Sequence, residues 1–330
     1  MKILMIGGSG NISWHCTNKL LENGHDVYVL NRKCTILTRR ELNPNAKRIV
    51  ADINDLQSVK QLLGNTKFDI VADFICYKME DAQRDIELFG HNTKHFIFIS
   101  SAGNYKREGY CLPITEEREL TSINWEYSKN KIQCEQIFMK AYREQNFPVT
   151  IIRPGHTYDT LIPEAVGNGD WTIAKRIIEK KPIIVHGDGT VWWTLTNSYD
   201  FAAAFAGVAE DTETIGEAYH IVGDEVLTWN EITHTVAHAL GNPMPDIVYI
   251  PAKIIELEEP VWGAGITEHK MWCDVYDNSK IKQVVPTWKT QVSLRNGIEY
   301  TVNWLNEKEC RKRVNLGLDH LIDKLCTKYR

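Results

Sequence analysis

Apolar and polar residues in the first half of the chain follow two periods in alternation. Ile3 to Ile6 is a short apolar run that enters a glycine cluster, and the residues from Ile12 to Glu22 then show helical spacing. Asn23-Gly24 closes that helix as a C-cap. Asp26 to Leu30 predicts a second strand, Arg48 to Ala51 a third, Asn54 to Leu63 a helix and Phe68 to Phe74 another strand. A helix around Glu80 to Leu88 precedes His95 to Ser100, which is nearly continuous in apolar residues, as a parallel strand buried on both faces should be. Trp125 to Glu144 reads as a long helix and Val149 to Arg153 as the next strand.

Strands alternating with helices in this way predict an α/β fold with a doubly wound parallel sheet. Beyond Pro154 the rhythm loosens. Trp171 to Lys180 and Asn197 to Ala209 read as helices, and Pro182 to His186 as a strand. Thr228-Trp-Asn-Glu231 has the spacing of a capping box and starts a helix reaching Leu240. The expected organisation is a dinucleotide-binding domain over 1–160, with contributions from about 183–225. A smaller mixed α/β substrate domain covers 161–182 and 226–330. Lys308 to Arg330 forms a polar helical extension whose leucines pack on the body or on a partner subunit.

Composition narrows the function classes. A chain of 330 residues with a net charge of -5 gives no support to nucleic-acid binding as its main task. No run of about 18 apolar residues could span a bilayer, and the first apolar run is too short for a signal segment, so a cytoplasmic, non-membrane protein is expected. The eight cysteines are scattered without a C-x-x-C pair, which predicts neither a disulfide framework nor a zinc site. His234 and His238 lack the glutamate of H-E-x-x-H, and no metal is expected there.

Two stretches carry chemistry. The turn from Gly7 to Ser13 has the spacing G-x-x-G-x-x-S. Gly7 and Gly10 would let the backbone approach a pyrophosphate, with Asn11 and Ile12 opening the helix whose amides face it. Further on, Ser101 lies at the end of a central strand, and Tyr127 and Lys131 sit four apart on the next helix, hence on one face. A tyrosine normally titrates near about 10. An adjacent ammonium, with the charge of an oxidised nicotinamide, would favour its phenolate. Tyr127 would then exchange the proton of a substrate hydroxyl while Ser101 steadies the same oxygen.

With these residues the chain resembles an extended short-chain dehydrogenase/reductase of the NAD-dependent epimerase/dehydratase family, over about residues 1 to 305. The likeness rests on Gly7 to Ser13, Asp52-Ile53, Ser101, Tyr127/Lys131, Arg153-Pro-Gly-His-Thr-Tyr158, His186-Gly-Asp-Gly189, Asp200 and Asp277-Asn-Ser-Lys280. It implies a Rossmann-type domain and dimerisation through the helices at 80–90 and 125–145. By that similarity Asp52 bonds the adenine amino group, Ile53 flanks the ring, and Lys131 also holds the nicotinamide ribose. Pro154 and His156 would border the cofactor, and His156 falls where the family often has an asparagine near the substrate phosphates. Phe74 would wall the nicotinamide side.

Departures from the family pattern bear on substrate and cofactor. Asn31-Arg32 stands where NAD-preferring members carry an acid, which tilts the reading from NAD toward NADP(H), while an arginine stacked on adenine beside plain NAD remains open. Trp193 stands where nucleotide-sugar members carry a diphosphate-clamping arginine; Trp192 and Trp193 either stack on substrate or pack between domains. Ala102 and Gly103 replace the acids of the 4,6-dehydratases, which disfavours dehydration. Tyr77, with Ala102, Gly103, His156 and the two tryptophans, is expected to face the substrate. The leading expectation is an NAD(P)-dependent epimerase or oxidoreductase acting on a sugar or sugar-nucleotide hydroxyl or ketone. An NADPH-dependent reductase of a non-nucleotide ketone is the alternative in that class. A non-catalytic dinucleotide- or RNA-binding protein of the same fold is the alternative outside it.

Overall fold

The computed structural model describes residues 1–32 and 40–330. Strand β1 (Lys2–Ile6) and helix α1 (Ser13–Glu22) flank the glycine turn, followed by β2 (Asp26–Asn31), β3 (Lys47–Val50), α2 (Leu56–Leu63) and β4 (Phe68–Asp73). Next come α3 (Met79–Phe89), β5 (Thr93–Ile99), α4 (Glu126–Gln145), β6 (Val149–Pro154), β7 (His156–Tyr158), α5 (Thr172–Ile178) and β8 (Ile183–His186). The chain continues through β9 (Trp192–Asn197), α6 (Ser198–Glu210), β10 (Ala218–Ile221), β11 (Val226–Thr228), α7 (Trp229–Ala239) and β12 (Ile247–Ile250). Helices α8 (Ala252–Glu258), α9 (Pro260–Gly265), α10 (Ser279–Val284), α11 (Leu294–Asn306) and α12 (Leu316–Tyr329) complete it, with a π-helical turn at Ile266–Lys270.

Seven strands form one parallel sheet in the order β10-β6-β5-β4-β1-β2-β3. The alternation along β1 shows how it is covered. Ile3 and Met5 join Cys16 and Leu20 of α1 and Phe201 and Phe205 of α6 on one face, while Leu4 and Ile6 meet Phe138 of α4 on the other. Strand β8 pairs with β12 in a separate two-stranded sheet, so 183–186 lies with the smaller unit rather than beside the large sheet. Its Ile183, Ile184 and Val185 are buried among the side chains of that unit. Helix α12 packs on the body through Leu318, Ile322 and Leu325. No helix among the described residues is long and apolar enough to cross a membrane.

Helix α4 matters most for the site. Its buried stripe is Ser128, Lys131, Cys134, Glu135, Phe138 and Ala141, the spacing of a helix laid on a core. Two members are charged. Glu135 is bound by Arg153 of β6 at 3.0 and 2.7 Å and accepts from Ser100 Oγ at 2.5 Å. Arg153 also donates to the Tyr105 hydroxyl at 3.1 Å and the Glu116 carbonyl at 3.2 Å. Removing one member strands the other charge in the core. Glu135→Ala should therefore lower stability by about 3–5 kcal/mol, read as a fall in the urea midpoint; an unchanged midpoint would show that the pair does not hold the helix.

Candidate active site

The glycine turn is stitched from within. Ser13 accepts from Gly10 N at 2.7 Å and donates to Gly7 O at 2.6 Å. Gly7 has φ +76°, and a Cβ there would lie 2.7 Å from the Ile75 side chain, so the turn requires glycine. Gly8 is equally confined, with Thr17 Oγ1 donating to its carbonyl at 2.8 Å. No side chain caps α1 at Ile12, which leaves the positive end of the helix open to an anionic ligand. Asn11 accepts from Thr160 N at 3.1 Å, tying the turn to the chain beyond β7.

At the end of β2, Asn31 donates to Ser9 Oγ at 2.9 Å and Arg32 is exposed beside it. Asp52 is exposed and accepts from Asn54 N at 3.0 Å, and Ile53 is buried next to it. Pro154 is buried at the end of β6. The turn follows β1, Asn31 ends β2 and Pro154 ends β6, all strands of the one parallel sheet. Phe74 differs from expectation: its ring packs on Phe205 at 5.5 Å, in the core.

On α4, the Tyr127 phenol has the Ser101 side chain as its polar neighbour. The residue as a whole is 38% exposed. Burial of the phenol pushes it above its ordinary value, and Ser101 offsets only part of this. Lys131, one turn on, donates to the carbonyls of Cys76 and Ile99 at 2.7 Å each and lies 4.5 Å from the Tyr77 ring and 6.0 Å from that of Tyr127. Tyr77 is half-exposed beside Tyr127, with ring centroids 6.4 Å apart. Cys76 is fully buried, its sulfur 4.0 Å from that of Cys134, and burial raises the thiol far above its usual range.

Three expected substrate contacts are corrected. Ala102 is fully buried with Tyr105 and Ile114, and Gly103 is covered by the Trp125 ring, which a Cβ there would meet at 2.9 Å. Trp193 is fully buried against Trp229 and His269, at 4.8 and 4.7 Å, and donates to His156 Nδ1 at 3.2 Å. Of the two readings of the tryptophans, packing holds for Trp193, while Trp192 is 56% exposed. His156 stays neutral, since burial, reinforced by Lys270 and His269, pulls it down to about 3.

With a parallel sheet, a glycine turn and a Ser-Tyr-Lys constellation at one edge, comparison becomes informative. The sequence model of the NAD dependent epimerase/dehydratase family matches residues 3–222, two-thirds of the chain. The protein is a member of that family. A UDP-glucose 4-epimerase of Lactobacillus helveticus is 31% identical over 170 residues, 46% of this chain and 51% of that enzyme, so the match spans about half of the relative. The 2'-dehydrokanamycin reductase of Streptomyces kanamyceticus is 23% identical over 295 residues, 88% of this chain and 80% of that one. The fold is shared with UDP-glucuronic acid 4-epimerase from Bacillus cereus, solved with UDP-glucuronic acid and NAD. That structure gives a TM-score of 0.73 at 21% identity, covering 93% of this chain and 99% of the other. The family is one of dinucleotide-dependent enzymes of the short-chain dehydrogenase/reductase type.

Several residues around this family site gave no signal in the sequence. Arg107 pairs with Asp274 at 2.6 Å and donates to Ala102 O at 3.0 Å, bracing the loop after Ser101. Burial opposes ionisation of Asp274, yet Arg107 and His269 hold its carboxyl below the usual range. Glu268, in the π-helical turn, accepts from Ser122 Oγ at 2.6 Å, from Ile123 N at 3.0 Å, from Trp125 N at 3.1 Å and from Asn124 N. It thereby caps the approach to α4 from 143 residues away. Such partners leave no local pattern, because each contact joins distant segments. A cavity of about 250 Å³ bounded by Tyr158, Asp200 and Asp224 touches none of Ser101, Tyr127 and Lys131.

Without a dinucleotide, Tyr127 should remain protonated at pH 10, where a free tyrosine is about half ionised. Cζ-labelled tyrosine NMR, with the resonance assigned through Tyr127→Phe, checks this; a midpoint below 10 would contradict the burial argument.

Proposed function

We propose that the protein is an NAD(P)-dependent epimerase or oxidoreductase acting on a hydroxyl or ketone of a sugar or sugar nucleotide, with Tyr127 as its acid/base. The observation that carries this reading is the Tyr127 phenol set beside Ser101, with Lys131 anchored one turn away. Bound in the glycine cradle, a nicotinamide dinucleotide would supply the hydride acceptor or donor. Gly7, Gly10, Asn11 and Ile12 would hold its pyrophosphate, and Asp52 and Ile53 its adenine. Tyr127 takes the hydroxyl proton when the carbinol is oxidised and returns a proton when the ketone is reduced. Ser101 donates to the same oxygen. The Lys131 ammonium, fixed by two carbonyls and 6.0 Å from the Tyr127 ring, would join the charge of a bound oxidised nicotinamide in favouring the phenolate. Arg32, exposed beside Asn31 and Ser9, favours the 2'-phosphate of NADP(H). We extend the reading to a homodimer built on α3 and α4.

The alternative, an NADPH-dependent reductase of a non-nucleotide ketone, draws support from Trp193. A buried indole stands where an arginine would clamp a diphosphate, and one relative matched over 88% of this chain is named 2'-dehydrokanamycin reductase.

Mass spectrometry of the dinucleotide released on denaturation separates the two. A cofactor retained near one per chain supports an epimerase, and an empty protein that binds NADPH supports a reductase. Tyr127→Phe should lower hydride transfer by about 10²–10⁴-fold with little change in dinucleotide affinity. Undiminished turnover would remove Tyr127 from the role and revive a non-catalytic binding protein. Arg32→Ala should weaken NADPH about tenfold more than NADH, the scale of one charge-assisted hydrogen bond. Equal losses for both would assign Arg32 to adenine stacking.

A further inference from the structure

Beside Trp193, on the side of the smaller unit, lies a cavity of about 160 Å³ bordered by His156, Leu161, Ile162, Glu164, Asn168 and Lys270. The proposed hydride-transfer residues do not line it. Its polar groups are unusual in their pairing. Lys270 Nζ donates to the Glu164 carbonyl at 2.8 Å, yet no ion pair joins it to the Glu164 carboxylate among the described residues. That carboxylate is itself buried, accepting from Gly169 N at 3.3 Å through Oε2, while Oε1 is buried with no partner. The 167–169 loop wraps the acid so closely that a Cβ on Gly167, at φ +150°, would fall 1.5 Å from Oε2. The neutral His156 accepts from Trp193 through Nδ1, which puts its own proton on Nε2.

Burial disfavours both charges. It pushes the Glu164 carboxyl well up, with help from Asp170, and draws Lys270 down to about 8. A ligand that donates to one and accepts from the other would relieve both. Hydroxyl groups do this, because each oxygen donates and accepts. A diphosphate would engage Lys270 and could face Glu164 only in that acid's protonated form, whereas hydroxyls suit either form. For scale, an apolar cavity of about 150 Å³ admits benzene.

We propose that this cavity is a subsite for a hydroxyl-bearing, non-phosphorylated sugar ring held between Glu164, Lys270 and His156. The assignment of that ring to the same substrate that reacts at Tyr127 rests on the proposed function; the binding site itself does not. The neighbouring rings give the two places a physical connection. Trp193 contacts His269, His269 stacks on Trp125 at 5.7 Å, and Trp125 contacts Tyr127 at 5.3 Å.

The test is binding to the full chain, read by saturation-transfer NMR and calorimetry. Methyl α-D-glucoside, D-glucosamine and myo-inositol serve as ring probes, and UDP and pyrophosphate as phosphate probes. At least one ring probe should bind, and Glu164→Gln and Lys270→Met should each weaken it tenfold or more at an unchanged circular dichroism spectrum. If Glu164→Gln does not fold, Lys270→Met carries the test. The proposal is overturned if no ring probe binds, or if binding is unaffected in the folded variants. It also falls if UDP or pyrophosphate binds and Glu164→Gln tightens it, which would make the cavity a phosphate site. Ring binding that survives in Tyr127→Phe keeps this result separate from the fate of the hydride-transfer reading.

Discussion

The buried pair of Glu135 and Arg153 is the constraint on which the candidate site depends. Two charges in a core are a poor source of stability, since their desolvation offsets much of their attraction. Their effect here is on register. Arg153 sits on β6, Ser100 ends β5, and Glu135 joins both from α4. Sliding the helix by a turn would strand a charge among Phe96, Phe98 and Phe138. Tyr127, Lys131 and Glu135 follow at steps of about 6 Å along one stripe of the helix. Fixing Glu135 therefore fixes how far Lys131 reaches toward the Cys76 and Ile99 carbonyls, and where the Tyr127 hydroxyl meets Ser101.

The other end of α4 is held differently. Trp125 has no cap of its own, and Glu268 supplies one from the π-helical turn. The same turn places His269 between Trp125 and Trp193, and Lys270 at the Glu164 carbonyl. π-Helical turns recur at functional sites because the extra residue in the turn redirects side chains. Three successive residues here reach three different segments, and the start of α4 is thereby capped from outside the seven-stranded sheet. The seven-stranded sheet alone would not complete the geometry.

This division explains what could be read from the chain. The parallel sheet was legible because Ile3–Ile6, Phe68–Phe74 and His95–Ser100 are apolar runs at regular intervals with glycine or polar breaks between them. Tyr127 and Lys131 were legible because their spacing is local. Ser13 could be located, but its bridging of Gly7 and Gly10 could not, since that role depends on the turn's geometry. Glu268, Arg107 and Asp274 were invisible for the opposite reason: their partners lie 143 to 167 positions away or in irregular chain, where spacing carries no information. Phe74, Ala102 and Trp193 were misread or left open because a residue near a strand end can face the cleft or the core. Packing decides which, and packing is a tertiary property.

The same contrast bears on specificity within the family. Under the proposed function, the groups around Tyr127 would be those that hydride transfer needs from any secondary alcohol. The departures concentrate around Trp193. An arginine there would carry an uncompensated charge toward the substrate, whereas the indole is sealed between Trp229 and His269 and hands its one hydrogen bond to His156. That exchange removes a cation and fixes a neutral imidazole beside a buried acid and a half-quenched lysine. Under the proposed subsite, recognition would run through hydroxyl geometry more than phosphate charge, and one fold could keep its reacting centre while changing what it admits.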